Sequence, residues 1–366
     1  MQHSTRVLPG TQTILQEAQL LIRSGEVVAV PTETVYGLAA DARNPAAVKK
    51  IYEAKDRPEF DPLIVHVSEQ HLKSPAGLIP SLVLEGVLAP QVAAWKHRDA
   101  LEKLMIRFWP GPLSIVLPRG QKIPDIVTNK MATVAIRCPA NPVFQSLLKL
   151  SGAPLAAPSA NRFGRISPTR AEHVFQELNG RIPLILDGGP CAVGVESTIL
   201  KFEDEPLRLT LLRPGKVSVE DITRITGAPV TVIPSTSRPE IVAPGMLDEH
   251  YAPVKPLLLC PRPFQKMVAS MVVIPDALKN KKMGILSMGP LPESFWTGHR
   301  PEKVIELSSK QDPLEMSQRL FLSMRELDQD PHVDWILADV PAAASGLSDA
   351  IRDRLKRASQ NKPRLE

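Results

Sequence analysis

The feature that most limits what this chain can fold into is an alternation. Short apolar runs of strand length recur between stretches in which apolar residues fall at helical spacing. Runs at 26–30, 63–67, 114–117, 133–137, 155–157, 184–186 and 197–201 read as buried strands. Helices are expected at 11–24, where Ile14, Ala18, Leu21 and Ile22 share a face, and at 45–54, 141–149 and 169–178. Strands interleaved with helices predict an α/β sheet.

The pattern changes after Arg213-Pro214-Gly215. Residues 226–256 hold little apolar periodicity and several prolines, and they read as a linker long enough to suggest a function of its own. A second alternation follows: strand 257–260, helix 263–272, strands 283–287 and 304–307, helix 313–327, strand 335–339 and helix 348–357. It predicts a smaller doubly wound, Rossmann-like α/β domain without a Gly-rich dinucleotide fingerprint. The expected division is a first domain over 1–225, the linker over 226–256 and a second domain over 257–366. A length of 366 residues, at about 150 per domain, agrees with two domains.

Composition narrows the function classes. Hydrophobic residues make up 43% and charged residues 23%, as in ordinary globular proteins, so each domain can bury a core. The 37 prolines are about twice usual usage but are dispersed, which points to rigid turns rather than a disordered tract. A formal charge of +5 is compatible with anionic small molecules or nucleic acid and selects neither. No apolar stretch has the length of a signal peptide or a membrane span. Cys138, Cys191 and Cys260 have neither disulfide-framework nor metal spacing, and buried free thiols in a reducing cytoplasm are expected.

Several short segments could carry chemistry. Thr32, Glu33, Thr34 and Tyr36 crowd polar groups at the end of the strand 26–30, where α/β folds place ligands; a polar turn with a solvated Glu33 is the plainer reading. Lys55 and Arg57 are two apart and would share a side in an extended segment, forming a phosphate clamp, or else they are a charged helix end. Ser159 and Asn161 follow the strand 155–157 with the same spacing, and Ser167 or Thr169 could cap a helix. Paired glycines at 188 and 189 allow close backbone approach, Arg213 precedes a Pro-Gly turn, and His66 on its own reads as a satisfied core histidine. Phosphate-loop, zincin and nucleophile-elbow motifs are missing, so a nucleotide enzyme built this way must collect phosphates with scattered cations.

Taken together, PTETVYGL at 31–38, AKDRP at 54–58, PLIVHV at 62–67, FWPGPLSIVL at 108–117, TVAIRCPA at 133–140, PLAAPSANRFGRISPT at 154–169, ILDGGP at 185–190, GVESTI at 194–199 and LLRPG at 211–215 resemble the YrdC-type threonylcarbamoyl-adenylate synthases. APGMLDEHYAP at 243–253 and GLSDAIRDRLKRAS at 346–359 resemble the linker and second domain of the longer form. The resemblance implies a twisted open α/β sheet around a large cationic cavity. It assigns Lys55, Arg57, Ser159 and Asn161 to the catalytic, phosphate-facing signature. Thr34, His66, Arg137, Ser197 and the backbone at Ala157 match L-threonine positions. Arg57, Asp61, Thr133, Ser159, Ser167 and Arg213 match positions around ATP, joined by Ala243 and Tyr251 from the linker. Asp61 stands where asparagine is common, Asn141 where histidine is frequent, and residues 74–104 look longer than usual.

The implied reaction joins L-threonine, bicarbonate and ATP into threonylcarbamoyl-AMP and pyrophosphate, the precursor of N6-threonylcarbamoyladenosine in tRNA. Mg²⁺ would travel with the phosphates and need no protein side chain, which fits the missing metal-ligand cluster. The product would pass to a separate tRNA-modifying transferase complex. Two other readings stand beside this one. A non-catalytic RNA-binding protein would use the same cationic cavity, but basic residues are dispersed and only 4% of residues are aromatic. Hydrogenase-maturation proteins share a similar module but carry zinc-finger-like segments, for which three scattered cysteines are too few.

Overall fold

The computed structural model describes residues 4–233, 251–267, 274–291, 300–343 and 346–360. Contacts divide the chain into two compact units. The first comprises Met1–Phe163, Pro168–Ala192 and Glu196–Leu247. The second comprises Asp248–Glu366 with two short pieces of earlier chain, Gly164–Ser167 and Val193–Val195.

In the first unit β1 (Arg6–Pro9), β2 (Val28–Val30), β3 (Gly37–Asp41), β4 (Ile64–His66), β5 (Leu113–Pro118), β6 (Thr133–Arg137), β7 (Leu155–Ala156), β8 (Leu184–Asp187), β9 (Thr198–Glu203), β10 (Arg208–Arg213) and β11 (Val230–Val232) form one mixed sheet. Its order is β1-β8-β2-β3-β7-β4-β6-β5-β9-β10-β11. Helices α1 (Gln12–Arg23), α2 (Pro45–Lys55), α3 (Leu78–Leu84), α4 (Arg98–Phe108), α5 (Asp125–Thr128), α6 (Pro142–Ser151), α7 (Ala171–Leu178) and α8 (Val219–Thr226) connect the strands.

Period-two side-chain alternation sorts the sheet residues into separate cores. Val27 and Ala29 join the largest cluster with Leu38 and Ala40, while Val28, Val30 and Ala39 join a second cluster with Leu15, Ala18 and Ile22 of α1. Both faces are therefore covered, which is why these strands read as continuous apolar runs. Asn44 caps α2 by accepting from the amides of Ala46 and Ala47, with Pro45 in the first turn. Asn141 caps α6 in the same way, accepting from Val143 N at 2.9 Å and Phe144 N at 3.4 Å.

Several elements were not legible. Strand β3 starts inside a polar motif and consists mostly of small residues; pairing with β2 and β7 imposes it. Strands β1 and β10 and helix α8 were also unforeseen, and α3 and α4 occupy the stretch that had only looked long. The expected linker begins as structure: β11 runs parallel to β10, with Val230 opposite Leu209.

The second unit has a four-stranded, wholly parallel sheet of β12 (Leu257–Leu259), β13 (Met283–Ser287), β14 (Lys303–Glu306) and β15 (Trp335–Ala338), in the order β12-β15-β13-β14. Helices α9 (Pro313–Gln329) and α10 (Leu347–Ala358) pack with it. The helix expected at 263–272 is instead a 3₁₀ turn, Phe264–Lys266, and 268–273 lie outside the described residues. Asp339, fully buried after β15, ties two loops together by accepting from Phe264 N at 2.8 Å and Met288 N at 2.7 Å.

Candidate active site

The expected site residues of the first unit lie at strand ends and on the turns beside them. His66 ends β4 and Arg137 ends β6, and parallel pairing sets these two directly opposite each other. Antiparallel pairing of β4 with β7 brings in the chain before Ala157, whose amide donates to Ile64 O at 3.0 Å. The segment 157–161 then runs beside β3. Leu38 N donates to Pro158 O and Ala160 N to Tyr36 O, each at 2.8 Å. A Cβ on Gly37 would lie 3.3 Å from Ala157 Cβ and 3.4 Å from Pro158 O, so only glycine admits this approach without displacement.

The turn before β3 is built around Thr32. Its hydroxyl bonds Val35 O at 2.7 Å and receives the amides of Thr34 and Val35 at 3.0 and 3.1 Å. Thr34 Oγ1 lies 2.8 Å from the same hydroxyl. Glu33 is only partly exposed and is not free in solvent. Its carboxylate pairs with Arg137 Nη2 at 2.6 Å and receives Ala140 N at 2.9 Å. Arg137 Nε also donates to Gly111 O at 3.2 Å, so the guanidinium plane is fixed at two points.

Lys55 and Arg57 do not form an extended pair. Lys55 is the last residue of α2, and Asp56 after it takes the left-handed conformation, φ 51°. This helix end turns Lys55 inward, where its ammonium donates to the carbonyls of Ser159 and Asn161. Phe163 N returns a bond to Lys55 O at 2.8 Å, so α2 and the 159–163 loop are laced together. Arg57 Nη2 meets Asp61 Oδ2 at 2.8 Å and Pro62 O at 2.9 Å. Arg213, at the end of β10, donates from Nη2 to Ser197 Oγ and from Nε to Ser197 O, both at 3.1 Å. Ser114 Oγ of β5 sits 2.8 Å from the same Ser197 hydroxyl.

Burial sets the electrostatics. Lys55, Arg57, Asp61, His66, Arg137, Asn161, Ser197 and Arg213 are all buried. Burial, then the neighbouring Arg57 charge, pulls the Lys55 ammonium well below the usual lysine range, and Asp61 works against that shift. Burial raises the Asp61 carboxyl, opposed by Arg57, Lys55 and Arg213 in that order. Burial and then Arg137 lower the His66 imidazole to about 3, so the ring is neutral. The thiols of Cys138 and Cys191 are buried and free, and burial raises both, Cys138 to about 12. Neither is an activated nucleophile. The arrangement is suited to binding anions and orienting small polar groups.

Other expected members fall elsewhere. Thr133 begins β6, about 13 Å along the strand from Arg137. Ser167 is fully buried in one of the pieces belonging to the second unit. Tyr251, also in that unit, has a left-handed φ of 66°, stacks on Phe321 at 5.8 Å and lies under Arg354 at 5.4 Å. Ala243 lies outside the described residues. Sequence reasoning missed Ser114 and the roles of Thr32 and Glu33. For Ser114 the only signal was its place inside a quoted motif, whereas Thr32 and Glu33 also stood out as polar groups crowded at a strand end.

Comparison with known proteins places the chain in a family. A family model named Sua5_yciO_yrdC, described as telomere recombination, matches residues 20–215, and a threonylcarbamoyl-AMP synthase C-terminal domain model matches 217–360. The chain is 38% identical to a threonylcarbamoyl-AMP synthase of Bacillus subtilis, over 94% of this chain and 92% of that one. It is 36% identical to one of Pyrococcus abyssi, over 92% of each. A crystal structure of P. abyssi Sua5 complexed with L-threonine superposes with a TM-score of 0.80 at 34% identity, covering 97% of both chains. The chain therefore belongs to the Sua5/YciO/YrdC family, in the two-domain form that carries the Sua5 C-terminal domain.

Proposed function

We propose that the chain is a threonylcarbamoyl-AMP synthase. It condenses L-threonine, bicarbonate and ATP for the N6-threonylcarbamoyladenosine modification of tRNA. The observation that carries this reading is the gathering of Lys55, Arg57 and Arg213 around one buried carboxylate, with Arg213 also bonded to Ser197. Three cations from two separate parts of the chain, the end of α2 and the end of β10, form a polyphosphate site without a phosphate loop.

In the reaction, the threonine amine adds to bicarbonate with loss of water. A carbamate oxygen then attacks the α-phosphorus, its bond to the bridging oxygen breaks, and pyrophosphate leaves. The protein's part is orientation and charge neutralisation. Arg137 faces the threonine carboxylate, its plane held by Glu33 and Gly111. Thr34 and Ser197 read the polar groups of threonine, and a site built to bond a hydroxyl rejects analogues that lack it. His66 stays neutral beside Arg137 and leaves that cation available to a carboxylate. Lys55, Arg57 and Arg213 neutralise the phosphates, with Ser159 and Asn161 on the adjoining loop.

Mg²⁺ fits this site as a companion of the phosphates. The site's carboxylates are already committed, Asp61 to Arg57 and Glu33 to Arg137, and the described residues contain no cluster of three metal-ligating side chains. The ion would supply charge neutralisation on the triphosphate. The product passes to a separate tRNA-modifying transferase. Buried free thiols suit a reducing cytoplasm, and no helix among the described residues is long and apolar enough to cross a membrane.

The test is pyrophosphate release from ATP with Mg²⁺, with and without L-threonine and bicarbonate, with serine as a control. Release that requires both, and that falls when serine replaces threonine, is expected. Folded protein that releases no threonine-dependent pyrophosphate would overturn the reading and leave RNA binding as the leading one.

A further inference from the structure

Asp61 is the carboxylate on which Arg57, Lys55 and Arg213 all act, and its surroundings are unusual. It has no solvent exposure, and only its Oδ2 is paired, with Arg57 Nη2 at 2.8 Å. Neither carboxylate oxygen makes a well-formed hydrogen bond, so the Arg57 contact is an ion pair and Oδ1 has no partner at all. The charged and titratable groups facing it are Arg57 and Lys55 from the end of α2 and Arg213 from the end of β10. The phenol of Tyr52 on α2 donates to its backbone carbonyl at 3.3 Å. Resting on the synthase reading, the same three cations must also face the triphosphate. A carboxylate and a polyphosphate cannot both keep full charge there, because like charges at close range in a poorly solvated site disfavour ionisation.

We propose that Asp61 is a positioning residue that holds the phosphate-facing cations in register and takes up one proton when a nucleoside triphosphate binds. In the bound complex the neutral carboxyl becomes a donor through the oxygen that protonates, and Arg57 transfers its charge-assisted contact to a phosphate oxygen. The proton comes from solvent, so binding and pH are linked. Affinity for the triphosphate falls as pH rises above the titration of Asp61, by up to about tenfold per unit. Threonine binding, which uses Arg137, does not share this dependence.

The experiment is isothermal calorimetry of α,β-methylene-ATP with MgCl₂ at pH 8, where the analogue is itself ionised, in two buffers of different ionisation enthalpy. Wild-type protein is expected to take up close to one proton per analogue bound, and Asp61→Asn none. The variant should bind the analogue roughly tenfold more tightly than wild type at pH 8, with the difference shrinking toward pH 6. The KM for ATP should lose its pH dependence while the KM for threonine keeps its own. Binding without proton exchange in wild type overturns the proposal and leaves the synthase reading intact. Equal uptake in Asp61→Asn assigns the proton to Lys55 and also overturns it. No binding of the analogue and no turnover overturn both.

Discussion

At the scale of single residues, the site is a set of buried charges in which each member has a named partner, and this decides how substitutions should behave. Lys55→Ala leaves the carbonyls of Ser159 and Asn161 without their donor. Each lost partner costs about 1–3 kcal/mol, and turnover should drop about 10²–10³-fold, as for other preorganised electrostatic groups. Arg57→Ala instead strands the Asp61 carboxylate, and breaking a buried pair costs about 3–5 kcal/mol. Adding Asp61→Asn to Arg57→Ala should recover most of that stability and none of the activity. Denaturant unfolding beside pyrophosphate release measures both. If the double variant stays as unstable as the single, Arg57 acts through packing and not through its charge pair.

At the scale of elements, the turn after β10 offers a sharp test. A Cβ on Gly215 would fall on the backbone nitrogen of Thr198 and 2.7 Å from its Oγ1. Thr198 Oγ1 is itself committed, donating to Val217 O at 2.8 Å and accepting from Val217 N at 3.0 Å. Gly215→Ala should therefore cost about 1–3 kcal/mol through overpacking and displace Arg213, two residues earlier, from Ser197. A thermal melt together with the KM for ATP checks this. An unchanged KM would show that the turn does not position Arg213. The same region shows what the sequence made legible. Strands with covered faces, such as β2, β4 and β6, announced themselves by unbroken apolar runs. The small residues of β3 did not, because the pairing that makes them a strand comes from distant chain. The site followed the same rule. The motifs named Lys55, Arg57, Arg137 and Ser197 as candidates, and all four are buried, whereas the bond between Ser114 and Ser197 spans 83 residues and left no local trace. Even the Lys55–Arg57 spacing misled, since a helix end rather than an extended segment turns Lys55 inward.

At the scale of the whole molecule, two buried groups, one in each unit, should pull stability in opposite directions with pH. His66, in the first unit, is lowered from 6.5 to about 3 by burial and then Arg137. The unfolded chain binds its proton more readily, so that stability is present above pH 6.5 and is lost as pH falls toward 3. Asp339, in the second unit, is raised from 3.8 to about 7 by burial, against the amides of Phe264 and Met288. Its contribution is present below pH 3.8 and is lost as pH rises through 7. Between pH 7 and pH 5 His66 should cost the first unit, and Asp339 give the second, about 2 kcal/mol each, while Asp61, raised by burial, works against His66 in the first unit. Amide hydrogen exchange along β4 and β15 reads the units separately. Protection whose pH dependence is unchanged by His66→Gln in the first unit or by Asp339→Asn in the second would refute these assignments.

The strand order also sets a timetable for synthesis. Strand β2 finds β3 almost at once, but its other edge pairs with β8, with Val28 opposite Leu184. A ribosome adding about 5–20 residues per second would leave that edge open for roughly 8–30 s. During that interval the nascent protein carries an unpaired apolar strand, the kind of surface on which chains stick to one another. Slowing translation anywhere between β3 and β8 should therefore lower the yield of soluble protein, even with the mature sequence unchanged.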